Sequence, residues 1–363
     1  MKNILIVIFF SICLPVISFT QLNQSGKVTD ANTHKPLVAV SVYLSNTSIG
    51  CITNEKGEFI IHNIPTGKYD LVISCIGYET FSTTINSRNL NDLFVELKPK
   101  VKQLEDVVIL SYEKDGWKKY GNLFLENFIG TSSNAEDCKI LNKDAIKFNH
   151  SKSKNLLNAF ATEPLIIENK ALGYTLHYDL QQFSYNYNSR LLLYLGFPYF
   201  TEMKAKTKHR KKVWQNKRED AYEGSVMHFM RALYQNKLAE NKFEVRKIVE
   251  KDRMNYLYTQ LLSGDSIAYA LDSVTVALEF PDKLEVTYKG RKAPGEYLKL
   301  FFAQHNGDYS SSYIKLMDAE NIQIASNGSY YNPLNLISIG YWAWSEKICN
   351  MLPYNFVPSS YPK

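Results

Sequence analysis

Residues 26–78 alternate apolar and polar side chains in a way that restricts this stretch to short β-strands. Val40, Val42 and Leu44 are separated by single residues, which is the two-residue period of a strand with one buried face. The run at 71–76 is apolar on both faces, as in a central strand. Turn sequences containing Asn, Pro and Gly separate the runs, and no helical period appears among them. The pattern predicts an antiparallel β-sandwich.

The motifs of this stretch resemble the carboxypeptidase regulatory-like domain. They are GKVTD at 26–30, PLVAVSV at 36–42, TNEKGEF at 53–59 and IPTGKYDLVISCIGY at 64–78. The resemblance covers residues 24–98 and implies a seven-stranded prealbumin-like (transthyretin-like) β-sandwich. In metallocarboxypeptidases this module is an accessory to a separate zinc domain, so the resemblance implies an interaction or stability role and no peptidase activity. The strands are expected to pair only with one another, so that residues 24–98 fold alone.

The first 20 residues are typical of a secretory signal peptide. Lys2 precedes an apolar run at 4–17, and the small residues Ser18 and Thr20 follow it. A transmembrane helix needs about 20 apolar residues, which neither this run nor any later one provides. The sequence therefore predicts cleavage near Gln21, export to the periplasm or to the outer membrane and cell surface, and no transmembrane helix after signal removal.

The rest of the chain predicts a second, less regular region. Residues 99–116 are interpreted as a linker, residues 117–354 as an α+β domain with an antiparallel sheet and one main helix, and residues 355–363 as a loose tail. Alternating runs predict the strands of this domain, one of them at 297–303. The predicted fold class is mainly β, with the seven-stranded sandwich followed by the α+β domain.

Three segments of the second region resemble a C-terminal region found behind this regulatory-like domain in exported Bacteroidetes proteins. They read FLENFIGTSSNAEDCKILN, ENKALGYTLHYDL and REDAYEGSVMHFMRAL. The resemblance implies an exported protein of the same kind and carries over no catalytic residue.

Residues 213–236 have the clearest helical period of the chain. The apolar stripe recurs at intervals of three and four residues and consists of Tyr222, Val226, Phe229 and Leu233. Gly224 lies in the middle of this predicted helix, where glycine costs about 1 kcal/mol relative to alanine. We therefore expect another element to pack closely against Gly224.

A second face of the same predicted helix carries the interaction candidates. Ser225 and His228 are three residues apart, a spacing that brings side chains together on a helix. Arg218 and Arg231 border this face. These four residues are the candidates for contact with a partner, and a purely structural role for His228 is the alternative.

Basic residues are concentrated at 204–218, which reads KAKTKHRKKVWQNKR. The whole chain has a formal net charge of +6, and an exported chain of this charge favours anionic surfaces over nucleic acid as partners. The basic block could contact an anionic envelope polymer or a lipid headgroup. The alternative is a solvated loop that leads into a charged helix face.

The sequence contains no motif that carries a known chemistry. None of its seven histidines pairs at metal-ligand spacing, and it has neither a Gly-x-Ser-x-Gly elbow nor a glycine loop for phosphate. Cys51, Cys75, Cys138 and Cys349 form no Cys-x-x-Cys pair, and whether they form disulfides is left open. No catalytic residue, cofactor or metal ligand is predicted, although two carboxylates placed for glycoside hydrolysis remain compatible with the sequence.

Three hypotheses of function follow. The first is a non-enzymatic exported envelope protein that binds a partner protein or a glycan through the sandwich and the sheet domain. The second is an exported hydrolase that acts on a polymer. The third is an accessory component of an outer-membrane TonB-linked uptake system, because residues 101–110 resemble the segment that follows this domain in TonB-linked outer-membrane proteins.

Overall fold

A computed structural model of the protein describes residues 22–100, 112–252, 255–300, 308–317 and 321–359. The predicted signal peptide and most of the predicted linker lie outside these residues. The described part is mainly β, with a sandwich at the N-terminus and a sheet-rich region with few helices after it, as the sequence predicted.

The sandwich has the seven strands that the resemblance implies. They are β1 Gln24–Asp30, β2 Ser41–Leu44, β3 Gly50–Ile52, β4 Glu58–Ile61, β5 Lys68–Ser74, β6 Phe81–Asn86 and β7 Leu93–Leu97. One sheet has the order β4-β1-β7 and the other the order β3-β2-β5-β6, and only the β1–β7 pair is parallel among these strands. Val28, Leu71 and Val95 belong to the core between the sheets, and all fully buried members of this core come from the sandwich itself.

A six-stranded antiparallel sheet and one helix form the first part of the second region. The elements are α1 Gly116–Phe128, β8 Cys138–Ile140, β9 Ile146–Ser151, β10 Leu156–Ala161, β11 Leu165–Asn169, β12 Tyr174–Asn186 and β13 Leu192–Glu202. The strand order is β8-β11-β12-β10-β9, with β13 paired to β12. Phe124 and Phe128 of α1 are fully buried, and the ring centre of Phe124 lies 4.7 Å from that of Phe183. The helix therefore covers one face of this sheet.

The single helix expected at 213–236 is two helices, α2 Lys208–Tyr222 and α3 Val226–Tyr234. Gly224 lies between them with φ +75°, a left-handed conformation that interrupts the helix and that glycine adopts without strain. Ser225 then caps α3, because its Oγ accepts the N–H of His228 at 3.1 Å. The expected close packing is present, since a β-carbon at Gly224 would lie 2.7 Å from the Tyr288 ring.

The last part of the chain adds two more antiparallel sheets. The elements are β14 Phe243–Asp252, β15 Asn255–Leu261, β16 Ala268–Ala270, β17 Thr275–Leu278, β18 Lys283–Lys292, α4 Gly295–Leu300, β19 Tyr309–Leu316, β20 Ile322–Ala325, β21 Tyr330–Tyr331, β22 Leu336–Gly340 and α5 Tyr341–Ser345. One sheet has the order β15-β14-β18-β19-β22 and the other the order β16-β17-β20-β21. The side chains of Phe229 and Leu233 in α3 join the core that these sheets share.

Two sequence predictions about this region are wrong. The second region has three antiparallel sheets where one was expected, because it closes two separate hydrophobic cores. The described part of the strand expected at 297–303 belongs to helix α4. Glu296 in the first turn and Lys299 in the last turn of α4 complement the helix dipole, and this local preference outweighs the short alternating pattern.

The described part of the tail is packed, although the sequence predicted a loose one. Phe356 is buried in the core beneath the six-stranded sheet. The Arg231 guanidinium donates to the carbonyl oxygens of Tyr354 and Phe356 at 2.9 and 3.1 Å. The tail is ordered because a buried cation far back in the chain supplies donors to its backbone, which no local pattern reveals.

The sandwich also pairs with the second region, contrary to expectation. The N–H of Asn46 donates to the carbonyl of Pro198 at 2.7 Å, and the N–H of Phe200 donates to the carbonyl of Thr47 at 2.9 Å. The Tyr43 and Tyr199 rings lie 5.1 Å apart. No described helix is long and apolar enough to cross a membrane.

Candidate functional site: an amide-lined cleft

The four interaction candidates, Arg218, Ser225, His228 and Arg231, are buried, each with 8% or less of its surface exposed. The Arg218 guanidinium donates to the carbonyl oxygens of Leu172 and Gly173, contacts the Glu202 carboxylate at 3.0 Å and stacks 3.8 Å from the centre of the Tyr174 ring. This arginine therefore ties α2 to the turn between β11 and β12.

Ser225 and His228 lie close together but do not form a nucleophile–base pair. The Oγ of Ser225 accepts the backbone N–H of His228, and the imidazole points elsewhere. Its Nδ1 accepts the N–H of Gly224 at 3.1 Å, so Nε2 carries the proton that faces Asn241 Oδ1, also at 3.1 Å. Burial lowers the pKa of His228 to about 4, which keeps the ring neutral. The ring holds the turn between the two helices.

Arg231 bonds two separated segments of backbone to α3. Besides Tyr354 and Phe356, its guanidinium donates to the carbonyl of Asn327 at 2.9 Å. The burial of Arg231 and of the other three candidates assigns all four to the interior of this chain. Their proposed contact with a partner therefore has no support from the geometry.

A different set of residues lines a cleft of 460 Å³ between the sandwich and the sheet that contains β20 and β21. We call it the amide-lined cleft. Its described lining consists of Lys68, Thr84, Ile85, Asn86, Asn321, Gln323, Tyr331 and Asn332. The first four belong to β5 and β6, and the last four lie on or next to β20 and β21.

Strand register places these side chains. Lys68 of β5 pairs with Asn86 of β6, and Gln323 of β20 pairs with Tyr331 of β21. Thr84 lies two residues before Asn86 and therefore on the same face of the strand. The Lys68 Nζ donates to Gln323 Oε1 at 3.2 Å, and this bond joins the two walls of the cleft.

The described lining consists mainly of neutral hydrogen-bonding groups, with the ammonium of Lys68 as its one cation. The four amide side chains present N–H donors, and Tyr331 adds an aromatic ring. Three of the amide oxygens already accept one bond within the chain and keep a second lone pair, namely Asn86 from the Arg88 N–H, Gln323 from Lys68 and Asn332 from the Leu334 N–H. The lining residue Thr84 donates to the Asp70 carboxylate at 2.8 Å, and burial raises the pKa of Asp70. The arrangement suits a ligand that donates and accepts hydrogen bonds at many points.

The sequence did not single out any residue of this cleft. Asn, Gln and Thr are common on exposed strand faces, and the residues at 84–86 and 321–332 are too far apart in the chain to form a local motif. The only local signal is that polar side chains alternate with apolar ones on β6 and β20. Such alternation marks a half-buried strand and not a site.

The described residues contain no group of three His, Cys, Asp or Glu side chains that could hold a metal ion. Cys51, Cys75, Cys138 and Cys349 are free thiols, and burial raises the pKa of each.

Comparison with known proteins agrees with the fold of the N-terminal part. Residues 24–109 match the family model of the CarboxypepD_reg-like domain, so the sandwich is a domain of this class. A TonB-dependent receptor, P39 of Formosa agariphila, is 34% identical over 108 residues, which are 28% of this chain and 10% of the receptor. The chain thus spans about a tenth of the receptor that it matches.

A crystal structure of a putative membrane-associated protein of unknown function from Bacteroides fragilis aligns with 88% of this chain and 97% of its own length. The two sequences are 12% identical and the TM-score is 0.18, a score from which no shared fold follows.

Proposed function

We propose that the protein is a non-enzymatic envelope protein that binds a glycan in the amide-lined cleft. The observation that carries this proposal is the lining itself, four amides, a hydroxyl, a lysine and a tyrosine around 460 Å³. The CarboxypepD_reg-like domain and the similarity to a TonB-dependent receptor support an envelope location. The sandwich and the sheet region would each supply one wall of the site.

Glycans suit this lining because each sugar hydroxyl both donates and accepts a hydrogen bond, as each amide does. The cavity lies within the range of about 300–1,000 Å³ that is usual for small-ligand sites. Tyr331 offers an apolar ring edge beside the polar groups, and the Lys68 ammonium could meet an acidic substituent of the sugar. Amides do not ionise near neutral pH and so cannot act as a general acid or base, and this lining therefore favours binding over acid–base hydrolysis.

Binding of envelope glycans to the purified protein, followed by calorimetry on the best ligand, tests the proposal. Replacing Asn86 and Gln323 together by alanine removes two hydrogen-bonding side chains and should weaken binding by about tenfold, since each bond contributes about 0.5–1.5 kcal/mol. The matched control is Gln181→Ala, an exposed amide away from the cleft. The proposal fails if no glycan binds, or if the double variant and the control bind equally well.

We also propose that the basic segment 204–212 contacts an anionic surface. Its basic residues are all exposed and none has an ion-pair partner among the described residues, namely Lys204, Lys206, Lys208, His209, Arg210, Lys211 and Lys212. Five of them form the start of α2, where positive charge opposes the helix dipole and costs stability. Thr207 caps the helix, so these exposed charges lie together in its first turns.

Charge-reversal variants distinguish contact with an anionic surface from a helix end that is only exposed to solvent. Lys208→Glu with Lys211→Glu should lower binding to vesicles of anionic phospholipid by more than tenfold, because each basic residue near such a surface contributes about 1 kcal/mol. The same variant should melt at a higher temperature, because acidic residues suit a helix start. Lys152→Glu with Lys154→Glu, two exposed lysines elsewhere, is the control. Equal vesicle binding by both variants would contradict the proposal.

A further inference from the structure

A second cleft, of 250 Å³, lies where the C-terminus of α2, the N-terminus of α3, α4 and α5 meet. We call it the Glu346 cleft. Glu223, Glu296 and Glu346 line it together with the cations Lys217 and Arg291. It shares no lining residue with the amide-lined cleft.

Arg291 is already engaged with its own chain. Its guanidinium donates to the carbonyl oxygens of Asp220 and Glu223 at the end of α2, and it lies 3.7 Å from the Asp220 carboxylate. It therefore satisfies a helix C-terminus, and among the described residues its ion pair is with Asp220 and not with Glu296 or Glu346.

Glu296 and Glu346 accept backbone N–H groups but have no cationic partner within the described part of the chain. Glu346 Oε1 accepts the N–H of Val226 at 3.2 Å, and Glu296 Oε2 accepts the N–H of Ser133 at 3.0 Å. Burial raises the pKa of Glu346 to about 7, although the Val226 N–H and the charge of Lys347 favour its ionised form. A buried carboxylate of this kind gains from a nearby positive charge.

Two further polar atoms at the cleft lack partners in the described structure. Asn134 and Ser345 both line the cleft and are 8% and 7% exposed. Neither Asn134 Oδ1 nor Ser345 Oγ has a hydrogen-bond partner. Because a carbonyl oxygen only accepts, the partner that completes Asn134 must be a donor. Buried polar groups are normally satisfied, so these two atoms are available to bond a ligand that enters the cleft.

We propose that the Glu346 cleft binds a small molecule that carries a primary ammonium group. The ammonium has three N–H donors and one positive charge. Its three donors serve the carboxylates of Glu346 and Glu296 and Asn134 Oδ1, and a hydroxyl group of the same ligand bonds Ser345 Oγ. The cavity has room for a molecule the size of an amino alcohol or an amino sugar.

Paired probes that differ in the charged group test this site. The probes are ethanolamine against ethylene glycol and 3-amino-1-propanol against 1,3-propanediol, each titrated into the full-length protein by calorimetry. The ammonium member of at least one pair should bind, with the neutral member at least tenfold weaker. Glu346→Gln and Glu296→Gln should each weaken ammonium binding at least tenfold.

Two control variants show whether the ammonium binds in this cleft or elsewhere on the protein. Glu126→Gln removes an exposed carboxylate on α1 and should leave ammonium binding unchanged, and so should Glu55→Gln, which removes an exposed carboxylate between β3 and β4. If water alone satisfies Asn134 and Ser345, no probe binds and the proposal is overturned. It is equally overturned if the neutral members bind as well, or if ammonium binding survives in both glutamine variants.

Discussion

At the scale of single residues, the turn between α2 and α3 depends on Gly224 and His228. Gly224 adopts φ +75° and lies against Tyr288, while the His228 ring accepts the Gly224 N–H. The Trp342 indole also donates to the Gly224 carbonyl at 2.8 Å. Both backbone groups of this glycine are thus used by buried side chains.

Gly224→Ala should destabilise the fold by more than Gly77→Ala does. Both glycines have positive φ, so both substitutions carry the left-handed penalty of about 1–2 kcal/mol. At Gly77 a β-carbon meets nothing within 4 Å, whereas at Gly224 it overlaps the Tyr288 ring and should add about 1–3 kcal/mol. Urea denaturation of the two variants measures the difference, and equal losses would contradict the packing argument.

His228 should make the fold less stable in acid. Its pKa is about 4 in the folded protein against 6.5 for a free imidazole, so between these values the unfolded chain binds a proton that the folded chain does not. Stability is therefore present above pH 6.5 and is lost as the pH falls towards 4. By pH 5 the loss from this group should be of the order of 2 kcal/mol.

Comparison of the unfolding free energy at about pH 7.5 and about pH 5 in wild type and His228→Gln isolates this effect. The first pH lies above both pKa values of His228, and the second lies between them. The comparison is needed because Glu346, whose pKa is raised to about 7, acts with the opposite sign. The variant should show a smaller loss in acid. His209→Gln, an exposed histidine in α2, should behave as wild type.

At the scale of elements, α3 organises the second region because nearly all of its surface is covered. Eight of its nine residues are buried, and they contribute to two hydrophobic cores. Met227 faces the core of the six-stranded sheet, and Phe229 faces the core of the other two sheets. Arg231 then attaches the C-terminal segment to the same helix.

Phe356→Ala tests whether that segment is part of the fold. Phe356 is buried, so its truncation should cost about 3–5 kcal/mol, whereas the exposed neighbour Val357 should tolerate alanine within about 0.5 kcal/mol. Thermal melts of the two variants provide the measurement. If both melt like the wild type, the tail is as loose as the sequence suggested.

At the scale of the whole molecule, the sandwich has its own core and also packs against the second region. Its fully buried residues all lie between Val28 and Leu97. Its contacts with the second region are backbone bonds at Asn46 and Thr47, the Tyr43–Tyr199 ring contact and side-chain bonds such as that from Thr80 to Asp179. The core of the sandwich stabilises its fold, and the contacts with the second region fix the geometry of the amide-lined cleft.

The isolated fragment 24–98 should therefore fold, but with lower stability than in the full chain. Loss of the Asn46 and Thr47 backbone bonds should cost about 1–3 kcal/mol, since each contributes about 0.5–1.5 kcal/mol. Circular dichroism of the fragment should show a cooperative transition below that of the sandwich in the full protein. A disordered spectrum would mean that the sandwich needs the second region to fold.

The sequence by itself determined the mainly β class and the alternating strands of the sandwich, while the number of seven strands is what the family resemblance implied. Two-residue alternation and turn residues act within a few positions of each other, so Val40–Val42–Leu44 and the turn at Gly57 could be interpreted locally. The stripe at Tyr222, Val226, Phe229 and Leu233 was also identified correctly as buried.

Only the tertiary structure decided the rest. Gly224 could have been a tolerated helix residue or a break, and the Tyr288 ring and the His228 imidazole select the break. Arg231 orders a segment more than a hundred residues later, and Lys68 meets Gln323 across an even longer separation. Such contacts depend on how sheets pack and on which backbone groups remain unpaired, and neither leaves a periodic signal in the chain.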